Sequence, residues 1–285
     1  MNIGVDGEVR ALAVLNGALV VGGAFHTAGG VPTTYVARWN DAYWSPMNNG
    51  MFGGTRVNAL AIHNGQLYAG GDFDKYVRRW DAQSSTFVSL GSSLKATVHA
   101  LASHAGYLYA GGEFTDSPFT DGAKFSRFNG YSWWGPDHGP DGTVHALSVL
   151  NGELYVGGNF NNIDDNFSLA YCVKWTGSGW EQLTCGISCS PNATVRTITI
   201  QNSQVHVGGD FPTGGVNQLS RRVSRLVGSY WRELGSGIGS PTLGSEAVHT
   251  LVVYKGELLA GGAFSSPTAN LARWNGTSWA NPAVP

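Results

Sequence analysis

The 285-residue sequence carries few charges and contains no long apolar run. Charged residues make up 13% of the chain, and the formal net charge at pH 7 is −2 with histidine neutral. No block of basic residues occurs, so the sequence shows no electrostatic footprint for nucleic acid or for an anionic membrane surface. No apolar run approaches the roughly 20 residues that span a bilayer. We therefore expect neither a nucleic-acid partner nor membrane insertion.

Cysteine is also scarce, because three residues are too few for a disulfide scaffold. Cys172 occupies a position that is apolar in the other repeats described below, which predicts a buried thiol. Cys185 and Cys189, in "TCGISCS", are predicted to close a small loop as a disulfide, which implies an oxidising compartment. No histidine lies among them to suggest a zinc site.

The amino-terminal stretch "MNIGVDGEVR" lacks the basic and apolar parts of a signal peptide. Met1 lies where other repeats have Met51, Ile187 or Ile238. We therefore expect Met1 to be an interior residue of a longer chain, or the product of a cut at a repeat boundary.

The sequence shows no helical period, and it contains six copies of one unit. Each copy carries a double glycine, beginning at 22, 70, 111, 157, 208 and 261, as in "LVVGGAF" (19–25) and "LYVGGNF" (154–160). An alternating run such as "VHALSV" comes first, then a tight turn, with Asn-Gly at 16–17, 64–65 and 151–152. The glycine strand, a variable loop, a short strand such as "VARW" and a strand marked by Trp or Phe follow.

Four short antiparallel strands, repeated six times, predict an all-β fold, a six-bladed β-propeller. We place one domain over 1–285, with blades at 7–50, 51–92, 93–141, 142–190, 191–244 and 245–285. The glycines are interpreted as packing devices that make room for aromatic side chains of the neighbouring blade and permit an unusual backbone dihedral. A phosphate-cradling loop is excluded because no helix N-terminus follows the glycines.

The apolar–Tyr–apolar–Gly-Gly element with its later Trp resembles the kelch repeat of galactose-oxidase-type propellers. The fuller pattern, as in "NGELYVGGNF" and "LARWNGTSW", is similar to secreted repeats of fungal cortical-marker proteins and bacterial surface proteins. The resemblance covers essentially the whole chain, and it implies an extracellular or cell-surface interaction module. It does not transfer the copper site of galactose oxidase, because no cysteine lies in a matching context. No cofactor and no metal are therefore expected.

The most informative candidate site is the polar residue at the second position of each first strand. This set contains Arg10, Asn58, His99, His145, Arg196 and His249. First strands line the channel of a propeller, so the six residues are expected to form a ring near one mouth that suits a carboxylate, sulfate or phosphate. Two alternatives stay open: a metal held by the three histidines, or polar side chains that simply fill a wet channel.

Acidic residues directly follow three of the glycine pairs, at Asp72, Glu113 and Asp210. Antiparallel second strands return to the same mouth, so these carboxylates are expected to neutralise the polar ring, for example Asp210 with Arg196. Acid–base catalysis by paired carboxylates is the alternative. A further row of cations precedes the third-strand aromatics, and we expect its stems to pack on aromatics of adjacent blades: Arg38, Arg79, Arg127, Lys174, Arg225 and Arg273.

The loops between second and third strands differ most among the repeats, and variable loops on a rigid scaffold commonly carry binding. Asp164 and Asp165 are weak calcium candidates in one of them. Glycosylation sequons occur at Asn166, Asn192 and Asn275.

The motifs of common hydrolases are missing, including G-x-S-x-G, H-E-x-x-H and the sialidase Asp-box. We interpret the chain as a non-enzymatic extracellular or cell-surface binding or scaffolding module. Its expected partner is a protein or a glycan, within a longer chain or an extracellular assembly. The alternatives are a carbohydrate-binding lectin, and a hydrolase or lyase with its active site at the channel mouth.

Overall fold

The computed structural model describes residues 4–47, 53–91, 94–114, 116–117, 120–121, 124–136, 139–160, 162–163, 167–168, 171–183, 193–211, 221–228, 230–240 and 245–281. These residues fall into two compact units, Met1–Gly139 and Pro140–Pro285. In the described part of the chain, no helix is long and apolar enough to cross a membrane.

The described residues of the first unit form sixteen strands. They are β1 (Glu8–Leu15), β2 (Ala18–Ala24), β3 (Thr27–Ala28), β4 (Val31–Pro32), β5 (Val36–Trp39), β6 (Trp44–Pro46), β7 (Arg56–His63), β8 (Gln66–Asp72), β9 (Val77–Asp81), β10 (Thr86–Ser89), β11 (Val98–His104), β12 (Tyr107–Gly112), β13 (Asp116–Ser117), β14 (Thr120–Asp121), β15 (Phe125–Phe128) and β16 (Trp133–Trp134).

In the second unit, the part of the chain that the structure describes forms fourteen strands. They are β17 (Val144–Leu150), β18 (Glu153–Gly158), β19 (Asn162–Ile163), β20 (Phe167–Ser168), β21 (Cys172–Trp175), β22 (Trp180–Gln182), β23 (Val195–Gln201), β24 (Gln204–Gly209), β25 (Val223–Val227), β26 (Tyr230–Glu233), β27 (Ala247–Tyr254), β28 (Glu257–Ala263), β29 (Leu271–Trp274) and β30 (Trp279–Ala280).

The strands form six four-stranded antiparallel sheets, each with its strands in chain order: β1-β2-β5-β6, β7-β8-β9-β10, β11-β12-β15-β16, β17-β18-β21-β22, β23-β24-β25-β26 and β27-β28-β29-β30. We number these sheets blades 1 to 6 in chain order; blades 1 to 3 lie in the first unit and blades 4 to 6 in the second. The fold class is therefore confirmed: the chain is an all-β six-bladed propeller with four antiparallel strands per blade. Three short two-stranded hairpins, which the sequence analysis did not predict, lie in the second-to-third-strand loops: β3–β4, β13–β14 and β19–β20.

The predicted Asn-Gly turns lie between the first and second strands. Asn16 and Gly17 have φ values of 50° and 81°, and Asn151 and Gly152 have 52° and 77°. Two successive left-handed residues are what a type I′ hairpin turn requires, and Asn-Gly supplies them at low cost. The turn therefore fixes the register of each hairpin locally.

Neighbouring blades within each unit pack through shared apolar cores. One core joins blades 1 and 2 and includes Val20, Val57 and Phe87; another joins blades 4 and 5 and includes Tyr155, Val195 and Phe211. The phenylalanine that follows each glycine pair is buried in all six blades: Phe25, Phe73, Phe114, Phe160, Phe211 and Phe264. The glycine motif therefore ends in a core anchor.

The two glycines of each pair have different neighbours. A Cβ on Gly157 would lie 2.6 Å from Cγ1 of Val195 in the next blade, whereas a Cβ on Gly158 would lie 2.1 Å from the carbonyl oxygen of Thr143 in its own blade. In blades 1, 2, 4 and 5 the first glycine therefore permits blade-to-blade packing, and in all six blades the second permits close approach of two strands. The packing interpretation is confirmed, but the facing side chain is valine and not an aromatic residue. The expected unusual dihedral was wrong, because φ is not positive at these glycines.

Candidate functional site

All six residues of the predicted polar ring lie at a β-bulge in the first strand of their blade. In blade 1, Val9 pairs with Gly23 and Ala11 with Gly22, so Arg10 is an extra residue with no partner of its own. The same register shift occurs at the other five positions, which are Asn58, His99, His145, Arg196 and His249. A bulge bends the strand and redirects the side chain, and such bulges are common beside binding sites.

First strands of successive blades are neighbours within each unit, so the bulges form two short rows. Strand β7 contacts both β1 and β11 in the first unit, and β23 contacts both β17 and β27 in the second. The first row contains Arg10, Asn58 and His99, and the second contains His145, Arg196 and His249. We call these the bulge rows. Each row repeats one polar position across three blades.

In the first bulge row, each described side chain has a polar partner. The Arg10 guanidinium donates to Glu8 Oε2 at 2.7 Å, and Asn58 Nδ2 donates to the Val98 carbonyl of the next blade at 3.0 Å. His99 Nε2 lies 2.8 Å from Glu113 Oε1. The first row therefore combines a cation, an amide and an imidazole, all with defined orientation.

In the second bulge row, Arg196 Nη2 donates to Asp210 Oδ2 at 2.8 Å. The expected pairing of these two residues is therefore confirmed. The Arg196 side chain keeps 39% of its surface exposed and that of Asp210 keeps 24%. His145 is partly buried and His249 is exposed. This row therefore presents a cation with one carboxylate beside it.

The acidic positions after the glycine pairs act mainly as acceptors for their own blade. Asp72 Oδ2 accepts a hydrogen bond from Thr55 Oγ1 at 2.6 Å, Glu113 contacts His99, and Asp210 contacts Arg196. Among the described residues, no group of three or more His, Cys, Asp or Glu side chains is arranged to hold a metal ion. The rows are suited to hydrogen bonding and charge recognition, and their predicted ligand-binding role stays a prediction.

The loops beside the bulge rows are anchored to the segment that precedes each first strand. Asp6 Oδ1 accepts hydrogen bonds from the backbone N–H groups of His26 and Thr27, both at 2.8 Å, and Val5 forms an antiparallel bridge with Ala28. In blade 4, Asp141 Oδ1 accepts from the Asn162 N–H at 3.2 Å. These carboxylates fix loops next to the predicted site, and the sequence analysis did not identify them.

A buried ion pair between blades 5 and 6 was also missed. Arg222 and Glu246 are 5% and 6% exposed, and Arg222 Nε donates to the Glu246 carbonyl at 2.8 Å. Glu246 Oε1 accepts from the Ser265 N–H at 2.8 Å. Glu246 lies three residues before His249, so this pair fixes the chain beside the second bulge row. Its two members belong to different repeats, so no local pattern could have linked them.

The cation row of the third strands departs from expectation. Arg127 lies over the Tyr107 ring of its own blade, 4.8 Å from the centroid, and Lys174 Nζ lies 2.8 Å from both Glu153 and Glu181. The expected stacking on adjacent blades is therefore wrong at these two positions. The reason is that the third strand pairs with the second and fourth strands of the same sheet, which supply its nearest side chains.

The remaining candidates have mixed outcomes. Cys172 is buried as a free thiol, as expected, and burial raises its pKa. Asn275 is exposed, but its Oδ1 accepts from the N–H groups of Thr277 and Ser278, which closes the turn. Six candidate residues lie outside the described residues: Asp164, Asp165, Asn166, Cys185, Cys189 and Asn192.

Comparison with known proteins supports the fold and no more. No family model matches the chain, and no curated protein matches it. The chain is similar to the extracellular domain of BT4673, a proposed one-component system of B. thetaiotaomicron, with a TM-score of 0.65 and 13% identity over 100% of this chain. It spans only 34% of that protein's chain. It is also similar to the computationally designed Ika8 protein, with a TM-score of 0.55 and 14% identity over 95% of this chain and 85% of that one.

Proposed function

We propose that this chain is a non-catalytic binding or scaffolding module that works outside the cell or at the cell surface. The observation that carries the proposal is the pair of bulge rows. Four row residues are each held by a polar partner: Arg10, Asn58, His99 and Arg196. His99 nevertheless keeps 18% of its side chain exposed, and Arg196 keeps 39%. Oriented, partly exposed donors recognise a polar ligand at low ordering cost.

The extracellular part of the proposal rests on two resemblances. The repeats are similar to kelch-type repeats of galactose-oxidase-type propellers and of fungal and bacterial surface proteins. The fold is similar to a domain described as extracellular in BT4673. Propellers host many activities, so the ligand has to be argued from the site and not from the fold. A protein surface or a glycan with an anionic group fits the rows.

The contacts of the carboxylates favour binding over acid–base catalysis. Asp72, Glu113 and Asp210 each contact a donor of their own blade. A carboxylate whose oxygens already accept from donors of its own blade is poorly placed to exchange a proton with a ligand. The rows therefore serve recognition better than proton transfer.

A glycan array on the folded protein tests the proposal. The quadruple variant His99→Ala, His145→Ala, Arg196→Ala, His249→Ala removes the whole second row and the histidine of the first. Arg38→Ala is the control because it removes a cation from a third strand. We expect signals from sulfated glycans that fall at least tenfold in the quadruple variant and persist in the control. Signals that survive in the quadruple variant, with circular dichroism unchanged, would contradict binding at the rows.

A further inference from the structure

A polar cavity lies between blades 5 and 6, away from the bulge rows. It has a volume of about 350 Å³ and is lined by Gln201, Gln204, His206 and Arg225 of blade 5 and by Glu257 and Trp274 of blade 6, among others. Strand β23 begins at Val195, next to Arg196, and ends at Gln201. The cavity and the second bulge row are therefore at opposite ends of the same strand.

The cavity coincides with a change in the repeat motif. Blades 2, 3 and 4 place a buried tyrosine two residues before the glycine pair, at Tyr68, Tyr109 and Tyr155, whereas blade 5 has His206 in "VHVGGDF". The imidazole is shorter than a phenol and leaves space where the tyrosine hydroxyl would reach. Burial lowers the pKa of His206 and outweighs the hydrogen bond of its Nδ1 to the Gln204 carbonyl, which raises it.

The third-strand cation faces different charges in blades 4 and 5. In blade 4, Lys174 lies directly opposite Glu181 and also contacts Glu153, with both oxygens at 2.8 Å. In blade 5, Arg225 lies directly opposite Arg232, and Gln204 takes the place of the second carboxylate. No carboxylate among the described residues forms an ion pair with Arg225. Two like charges across a strand pair are destabilising, and a bound anion relieves that repulsion.

We propose that the cavity between blades 5 and 6 binds a small hydroxyl-bearing carboxylate, the chemical class to which uronic acids belong. The Arg225 guanidinium presents a planar fork that matches a carboxylate. Trp274 supplies an aromatic wall for the apolar face of a sugar ring. The volume is that of a small-ligand site.

The remaining lining groups fit hydroxyls better than a second anionic group. Gln201 Nε2 donates to the Gly256 carbonyl of blade 6 at 2.8 Å, which ties the two hairpins together at the cavity. Glu257 Oε1 accepts from Arg273 at 2.8 Å, so its negative charge is compensated from within blade 6. Amide groups and a compensated carboxylate provide both donors and acceptors, which suits ligand hydroxyls.

Isothermal titration calorimetry on the full chain tests this site with sodium glucuronate, sodium galacturonate and neutral glucose. We expect at least one uronate to bind, at least tenfold more tightly than glucose. Arg225→Gln removes the fork and His206→Tyr fills the cavity with the residue of blades 2 to 4; each is expected to weaken uronate binding at least tenfold. Arg38→Gln removes a cation at the same strand position of blade 1 and is expected to change nothing.

Three results would overturn the proposal: no heat from either uronate at 50 mM, equal binding of glucose and uronate, or full binding in Arg225→Gln. Unfolding midpoints are measured for every variant, and Arg225→Lys, which keeps the charge but not the fork, is expected to bind with intermediate affinity. A galacturonate trimer, compared with the monomer, distinguishes a site for a free uronic acid from a site for the end of a uronate chain. The quadruple bulge-row variant is expected to keep uronate binding, so failure here and failure of the proposed function are distinguishable.

Discussion

Blades 4 and 5 share one strand register but differ in the side chains at one pair of positions. In blade 4, Tyr155 is buried and donates to Glu153 at 3.0 Å, and Lys174 contacts two carboxylates. In blade 5, the corresponding residues are His206 and Arg225, with a cavity beside them. Blades with the same strand register can therefore be filled by side chains at this position or hold a cavity there. In this molecule, a few cross-strand side chains decide which blade carries a cavity.

Substituting the second glycine of the pair, which blades 4 and 5 share, is expected to have the largest effect on stability. A Cβ on Gly158 would lie 2.1 Å from the Thr143 carbonyl oxygen, and one on Gly209 would lie 1.9 Å from that of Thr194. We expect Gly158→Ala and Gly209→Ala each to lower the free energy of unfolding by about 3 kcal/mol, because backbone must move. Urea unfolding measures this.

Gly179→Ala is the control for both substitutions. A Cβ at Gly179 meets nothing within 4 Å and its φ is not positive, so the change is expected to stay within about 0.5 kcal/mol. If Gly158→Ala and Gly209→Ala each lower the free energy of unfolding by less than 1 kcal/mol, the close approach of the two strands does not require glycine at these positions.

Exchanging the aromatic residues of the two blades is the next test. Tyr155→His removes a buried phenol and its hydrogen bond to Glu153, so we expect a loss of about 2 kcal/mol. His206→Tyr fills the cavity and is expected to leave stability unchanged or raise it. Thermal and urea unfolding of the two variants measure the difference. Equal losses in both would contradict the view that blade 5 is open where blade 4 is filled.

His206 of blade 5 is expected to make the stability of the protein depend on pH. Burial lowers the pKa of His206, so between this lowered folded pKa and pH 6.5 the unfolded chain binds a proton that the folded chain does not. This contribution is present above pH 6.5 and is lost as the pH falls through the lowered folded pKa. The expected slope is at most about 1.4 kcal/mol per pH unit for one histidine.

His63 in blade 2 contributes with the same sign, because burial also lowers its pKa. His206→Tyr is therefore expected to reduce the slope without abolishing it, and His206→Tyr combined with His63→Gln to reduce it further. Urea unfolding at pH 5 to 8 gives the slopes. A steeper slope in His206→Tyr would contradict the assignment.

The charge difference between the blades is expected to have the smallest effect on stability. Glu181→Arg places two cations opposite each other in blade 4, as in blade 5, and Arg232→Glu places a carboxylate opposite Arg225, as Glu181 is opposite Lys174 in blade 4. Glu181 and Arg232 are both exposed. We therefore expect Glu181→Arg to lower the free energy of unfolding by about 0.5 kcal/mol and Arg232→Glu to raise it by a similar amount. Both effects are expected to shrink in 1 M NaCl, where such charges are screened.

Local signals in the sequence were sufficient for the blade but not for its irregularities. The Asn-Gly turns predicted hairpins at the right positions, and the pairing of Arg196 with Asp210 followed from antiparallel geometry. The bulges were not predictable from alternation, since an extra residue leaves no mark on the apolar pattern. His206 was visible in the tyrosine position of "VHVGGDF", but its importance depends on Trp274 and Glu257 of the next blade.

The sequence by itself determined the number of blades, the order of strands in each blade and the turns that join them, because these depend on contacts between residues close along the chain. Only the tertiary structure decided which atoms face each glycine pair, where the bulges place their polar side chains, and which blade interface holds a cavity. Those features depend on contacts between residues of different strands and blades, whose register and side-chain volumes act together.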